Sequence, residues 1–381
     1  MAGFYEFFAG GGMARMGLGP EWRCLFANDF DHRKSSVYRR NWGDGPLVTA
    51  DIRQLTAADL PGYSDLAWAS FPCQDLSLAG GGAGLRGDRS GMFWPFWELM
   101  QSLRGEGRAP RIIAIENVCG TLTSHGGRDF AAICSALTQG GYRCGAIVID
   151  AALFVPQSRP RLFIIAARND LVIPAHLMAL EPSPLWRPRG LITAHGNLSS
   201  EIRRKWIWWS LPEPPKRNLQ LTDIIEERPD SAPWHTPAQT ERLLAMMSGV
   251  NLSKIEAARS QGRRIAGTVY KRTRLDANGL KAQRAEVRFD DVAGCLRTPA
   301  GGSSRQIVLL VDGGSVKSRL LSSRETARLM GLPDDYELPE NYNEAYHLTG
   351  DGVVAPVVRH LSEHIFEPIL SGRSSHKRRA A

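Results

Sequence analysis

What most constrains this chain is a rhythm of short apolar runs, each ending in a turn or a polar residue. Phe4 to Phe8 runs into three glycines, and Cys24-Leu25-Phe26-Ala27 into Asn28-Asp29. Leu47 to Ala50 leads to Asp51-Ile52, and Leu66-Ala67-Trp68-Ala69 to Ser70-Phe71-Pro72-Cys73. Arg111-Ile112-Ile113-Ala114-Ile115 ends in Glu116-Asn117-Val118. Runs of this length bounded by Gly, Pro and Asp suit buried strands. Helix-compatible segments at 32–41, 92–103 and 128–139 lie between them. Such alternation predicts an α/β sheet whose ligands sit at the carboxyl ends of the strands. Two more strands, over 143–149 and 161–167, are joined by a loop containing Gln157-Ser158-Arg159-Pro160-Arg161.

The strand ends carry the chemistry. Glycines 10–12 let the backbone approach a ligand closely. No Lys-Ser or Lys-Thr follows them, and Glu6 precedes them, so a cationic cofactor fits better than a phosphate. Asp29 follows the glycine turn by roughly 20 residues, a spacing that suits ribose hydroxyls; an N-cap or turn role suits it equally. Asp51 and Ile52 offer a carboxylate and an apolar side chain to an adenine. Pro72 fixes its own φ and biases Phe71 toward an extended shape, which aims Cys73. A cysteine here is also compatible with a small buried hydrophobe. The glycine-rich loop 79–91, with Arg86 and Arg89, has the length of a lid or binding loop.

Composition narrows the class. The chain has 381 residues, 43% hydrophobic and 23% charged, as in ordinary globular proteins. No apolar run is long enough to cross a bilayer, and no charged-then-apolar leader opens the chain. The six cysteines show neither a metal-like pairing nor a disulfide framework, so no metal is expected and a reducing cytoplasm is. The net charge of +8 suits a polyanionic partner. From about residue 173 proline becomes frequent, and basic residues mix with Trp206, Trp208, Trp209 and Trp234. More basic residues follow from Arg263 to Arg288. Interleaved with loops, they suit a surface following a phosphate backbone; a solvated basic face is the plainer reading. Ser322 is placed to cap a helix, and a helical apolar pattern runs over 350–366.

Taken in order behind the glycine turn, Pro72-Cys73-Gln74, Glu116-Asn117-Val118 and Gln157-Ser158-Arg159-Pro160-Arg161 resemble the cytosine-C5 DNA methyltransferase family, of the bacterial modification type. The resemblance covers about residues 4–170 and 295–366. It implies an S-adenosylmethionine-dependent methyltransferase (Rossmann-like) α/β sheet with a second, smaller target-recognition domain. The expected division is 1–172 plus 346–372 for the catalytic domain and 173–345 for recognition, with 373–381 a disordered basic tail.

By position, the resemblance gives Phe8, Gly10 and Gly12 to the cofactor turn, with Phe8 stacking on the adenine. Asp29 holds the ribose and Phe30 packs on the base. Asp51 and Ile52 meet the adenine edge, and Pro72 and Val353 complete the pocket. Cys73 is the nucleophile and Glu116 the acid. Arg159 and Arg161 hold the target ring. Gln74, Ser77, Arg86 and Arg89 contact DNA from the loop that closes over the base, and Arg324 to Pro333 organises the recognition domain. Gly350-Asp351-Gly352 departs from the family's usual Asn, bringing an extra carboxylate near the methionine end of the cofactor.

The implied chemistry explains these residue types. C5 of cytosine is a weak nucleophile, and thiolate addition at C6 makes an enamine able to accept a methyl group. Glu116 must bring a proton to N3, and Arg161 bonds O2. The target must leave the duplex stack. The implied activity is a DNA (cytosine-5-)-methyltransferase of a restriction-modification system, with S-adenosylhomocysteine as product. The implied partner is double-stranded DNA, with no membrane; the protein is a bacterial cytoplasmic monomer whose cognate restriction endonuclease need not bind it. Two alternatives stand beside this: a tRNA cytosine-C5 methyltransferase, against which the long 173–320 insert argues, and a catalytically silent DNA-binding relic.

Overall fold

The computed structural model describes residues 1–72, 90–181, 183–275, 279–298 and 305–372. Cys73, Gln74, Ser77, Arg86, Arg89 and the 373–381 tail lie outside the described residues. The chain divides into two compact units. The first comprises 1–150, 160–214 and 353–381, the second 151–159 and 215–352.

The first unit is built on a seven-stranded sheet in the order β3-β2-β1-β4-β5-β7-β6. Its strands are β1 (Ala2–Phe7), β2 (Trp22–Asp29), β3 (Leu47–Thr49), β4 (Leu66–Ala69), β5 (Ile112–Val118), β6 (Tyr142–Asp150) and β7 (Pro160–Arg168). β1 to β5 run parallel, and β7 is antiparallel to both neighbours. Helices α1 (Met13–Leu18), α2 (His32–Trp42), α3 (Phe93–Gly105), α4 (Arg128–Gln139), α5 (Arg189–Gly196) and α6 (Ser200–Arg204) follow in turn. The central strands are apolar on both faces, as parallel strands covered by helices must be. Tyr5, Phe7, Ala67, Ala69, Ile113 and Ile115 form one core with Phe93, Phe96 and Met100 of α3 and Phe130 and Ile133 of α4.

Residues 173–214 pack in the first unit rather than the second, where the expected boundary put them. The reason is the edge strand β6, whose open hydrogen-bonding groups need a partner. Val148 N donates to Trp186 O at 2.8 Å, and Ile207 N to Cys144 O at 2.9 Å. Gly145 is required there, since a Cβ would lie 1.9 Å from Ile207 O. Trp186 and Trp209 are buried, and Trp206 packs on Phe130 at 6.1 Å. Trp206 and Trp209, two of those expected on a basic–aromatic surface, are thus packed into the first unit instead.

The second unit holds α7 (Leu221–Ile224), α8 (Pro237–Ala245), α9 (Gly249–Arg259), α10 (Ser323–Arg328) and α11 (Tyr342–Asp351). Its sheet has the order β11-β10-β8-β9, made of β8 (Ile265–Leu275), β9 (Lys281–Arg288), β10 (Ile307–Asp312) and β11 (Ser315–Leu320). The basic residues from Lys271 to Arg288 therefore lie on a strand pair, not on loops. Ser322 caps α10 as expected, with Glu325 completing a capping box. The expected single helical run over 350–366 is broken. Asp351 ends α11, and α12 (Ala355–Leu361) starts afresh with Pro356 in its first turn, where a missing N–H costs nothing. A π turn, Ser362–Phe366, and α13 (Glu367–Ser371) complete the first unit. Among the described residues no helix is long and apolar enough to cross a membrane.

Candidate active site

Three adjacent strand ends make a nucleoside-shaped set. Phe8 follows β1 in a left-handed conformation (φ 59°), and Gly10 and Gly12 share the positive φ. A Cβ on Gly10 would meet nothing within 4 Å, so the turn leaves open space beside its backbone. Gly12 is different: a Cβ there would strike Trp42 at 2.3 Å, and Trp42 Nε1 donates to Gly11 O at 3.0 Å. At the end of β2, Asp29 is 6% exposed and accepts from Gly10 N and Asp31 N, one per carboxylate oxygen, each at 2.8 Å. Each oxygen keeps a lone pair, which suits two ribose hydroxyls. Phe30 beside it is 65% exposed, an aromatic face open to a base. An exposed ring, an open glycine turn and a buried carboxylate fit the adenosine half of S-adenosylmethionine.

The other expected cofactor residues are placed less simply. Asp51 accepts from Arg53 N, Nε and Nη2, so its carboxylate faces an arginine two residues away. That contact, with backbone capping, holds the Asp51 carboxyl below its ordinary range. Ile52 is buried in the main core with Phe7 and Phe26. Val353 is buried just before α12, which packs against α1: a Cβ on Gly17 would lie 2.4 Å from Ala355 O. Asp351 accepts from Thr298 Oγ1 within the second unit.

Glu6 lies beneath the glycine turn. It is fully buried, its Oε1 accepts from Arg15 N at 3.3 Å, and its Oε2 has no hydrogen-bond partner among the described residues. Burial pushes its carboxyl from about 4.5 up to about 8, partly offset by the α1 backbone and Arg15. Folding therefore takes up a proton at Glu6 between those two values. The stability tied to this uptake is complete below about 4.5 and is lost as pH rises through about 8. Thermal melting of the wild type and Glu6→Gln from pH 5 to 9 checks this. The variant should gain on the wild type as pH rises and then level off; a difference independent of pH contradicts it.

The second half of the site lies on β4, β5 and β7. Glu116 is 6% exposed at the end of β5, and Arg161 Nε lies 3.2 Å from its Oε1. The antiparallel register sets this meeting, since Val118 pairs with Arg161 and Glu116 with Phe163. Asn117 was quoted in the motif without a role. Its Nδ2 donates to Phe71 O at 3.2 Å, while its Oδ1 accepts from Val118 N and Thr121 Oγ1. The ring of Phe71 lies 6.5 Å from that of Phe8. Phe71 is thus tied to both the glycine turn and the Glu116 strand, and the half-buried Pro72 after it is the last described residue before Cys73. A polar residue directly after the acid was the available signal for Asn117.

Arg159 and Arg161, paired in the sequence reading, separate here. Arg159 is buried in the second unit, and its guanidinium donates to Leu296 O, Gly350 O and Gly352 O at 2.7–2.9 Å. It fixes backbone, and Arg161 meets Glu116. Cys119 sits beside this pair, half-buried, its thiol raised by burial and moderated by Arg161.

Sheet order and strand-end residues define a Rossmann-like methyltransferase fold of the S-adenosylmethionine-dependent class. The family model for C-5 cytosine-specific DNA methylase matches residues 2–367, and the chain belongs to that family. It is 25% identical to the Type II methyltransferase M.HhaI of Haemophilus parahaemolyticus, over 95% of this chain and 93% of that one. It is also 25% identical to the Type II methyltransferase M.NlaX of Neisseria lactamica, with 98% of each covered. Among solved structures, S. pombe Dnmt2 matches with a TM-score of 0.57 and 18% identity, covering 97% of this chain and 99% of that one. The Entamoeba histolytica methyltransferase EhMeth matches with a TM-score of 0.63 and 13% identity, over 96% and 98%. At these identities the solved structures speak for the fold.

Proposed function

We propose that this chain methylates C5 of a cytosine flipped out of duplex DNA, by covalent catalysis through Cys73. The observation that carries the reading is the Glu116–Arg161 pair at 3.2 Å, on the strand whose Asn117 holds the backbone leading to Cys73. S-adenosylmethionine supplies the electrophilic methyl group. The Cys73 thiolate adds to C6, and the electron pair displaced toward C5 makes that carbon nucleophilic. Glu116 gives a proton to N3 as charge gathers there, and Arg161 holds Glu116 and bonds O2. Once C5 carries the methyl group, water takes the C5 proton, the thiolate is expelled from C6, and N3 returns its proton to Glu116, which restores the aromatic ring. Asp29, Phe30 and the Phe8–Gly12 turn hold the adenosine, and S-adenosylhomocysteine leaves. The second unit recognises the target, and the Type II relatives support membership of a restriction-modification system.

A second reading is an RNA cytosine, as in tRNA; Dnmt2 chains stand among the fold neighbours, a likeness of fold. The long 173–320 insert was expected to argue against it. The S. pombe and Spodoptera frugiperda Dnmt2 chains align with 97% of this chain, so most of the insert has a counterpart in them. The test is methyl transfer from labelled S-adenosylmethionine to unmethylated genomic duplex and, separately, to bulk tRNA. The proposal expects label in the duplex. Label only in tRNA establishes the second reading instead.

A further inference from the structure

We propose that the β8–β9 ribbon enters the major groove of duplex DNA and that Arg272 and Arg284 read guanine edges there. This rests on the duplex-DNA reading above. β10 pairs with β8 only over residues 265–269, whereas β9 continues alongside β8 to the Leu275–Lys281 pair. Met247 bridges to Ala285, the partner of Lys271; from Arg272 onward the two strands run on with no third strand among the described residues, for about 10 Å at the usual rise per residue. Both faces are open: Arg272 and Thr273 on β8, and Gln283 and Arg284 on β9, are all exposed. A solvated basic face on a covered sheet would expose alternate residues only.

The register places Arg272 directly opposite Arg284. Like charges so placed weaken a strand pair, and a polyanion removes that penalty. Arg272 is also aimed. Its Nε lies 3.4 Å from Glu286 Oε2, and its guanidinium is 5.8 Å from the Tyr270 ring centroid. Toward the base of the same face, a cavity of about 370 Å³ is lined by Arg272, Arg288 and Lys254, among others. Glu286 lines it as well, and the three cations leave the face net positive from the ribbon onto α9. At the edge of β9, Lys254 Nζ donates to Val287 O and Asn251 Oδ1 accepts from Val287 N, which holds α9 against the strand.

The shape selects the partner. The major groove of B-form DNA is about 12 Å wide and admits a two-stranded ribbon, and an arginine there bonds guanine O6 and N7 together. The major groove of an RNA duplex is too narrow for side chains to read.

The test uses the full chain with unmethylated genomic DNA and S-adenosylmethionine, and bisulfite sequencing reads the methylated sites. Arg272→Ala and Arg284→Ala should each relax one guanine position in the wild-type site. Each should also lower kcat/KM on that site about 10- to 100-fold, with cofactor affinity unchanged as the check on folding. Two outcomes overturn the proposal: an unchanged set of sites, or weakening equal on every duplex, which marks phosphate contact alone. If the wild type itself methylates no duplex, the underlying reading has failed, and the silence of the wild type distinguishes that case.

Discussion

Glu116→Gln should lower kcat about 10²- to 10⁴-fold, the usual weight of a positioned acid, while cofactor affinity stays at the wild-type level. The substitution keeps the shape of the side chain and an oxygen for the Arg161 Nε, which lies 3.2 Å away. It removes the only proton the group can give to N3. Because Glu116 sits at the end of a strand buried on both faces, its backbone is fixed by Ile113 and Ile115 in the core and should not move. Steady-state kinetics on the methylated substrate, with cofactor affinity measured directly, separate these effects. A variant with wild-type kcat removes Glu116 from the chemistry. Arg161→Lys should also slow turnover, since a lysine lacks the planar fork that reaches carboxylate and ring oxygen together.

The second large effect is structural. Arg319 on β11 and Glu325 on α10 are both fully buried and form a two-pronged ion pair. Glu325 also accepts from Ser322 N at 2.8 Å and Glu226 N at 2.7 Å, and Arg319 donates to Glu226 O at 2.7 Å. The guanidinium stands 4.5 Å from the Trp234 ring centroid. Within the segment that the sequence reading gave to organising the recognition domain, Glu325 is therefore the residue that binds three parts of the second unit. Glu325→Ala leaves a buried charge without its partner and should cost about 3–5 kcal/mol. Hydrogen exchange checks it. Protection should fall in peptides covering β10 and β11 and persist in β1, β4 and β5 of the first unit. The double variant Arg319→Met, Glu325→Leu should recover much of the loss, because an apolar pair leaves no orphaned charge. Unchanged protection in the single variant contradicts the assignment.

The seven-stranded sheet was legible because its strands are apolar on both faces and end in turn residues, so runs such as Leu66–Ala69 stand out in a one-dimensional reading. The Glu116–Arg161 meeting was legible as motif order but not as geometry, which depends on the antiparallel insertion of β7. The β8–β9 ribbon was not legible. Arg272-Thr273 and Gln283-Arg284 show no alternation, because beyond the buried Ala285 both faces of the ribbon are exposed and no period is imposed. Trp209 was misread for the opposite reason: burial against the sheet is a long-range fact. Nor could the sequence show that Arg159 would spend its donors on the carbonyls of Gly350 and Gly352, almost 200 residues away.

The account depends most on Cys73 forming a bond to the pyrimidine. The direct measurement is incubation of the full chain with S-adenosylmethionine and a duplex bearing 5-fluorocytosine in place of cytosine, followed by mass spectrometry of the denatured, digested protein. Fluorine at C5 blocks the last elimination, so the account predicts a stable adduct of methylated fluorocytosine on the peptide containing Cys73, and none with Cys73→Ala. Methyl transfer to ordinary duplex with no adduct on that peptide, or an adduct that survives Cys73→Ala, contradicts it.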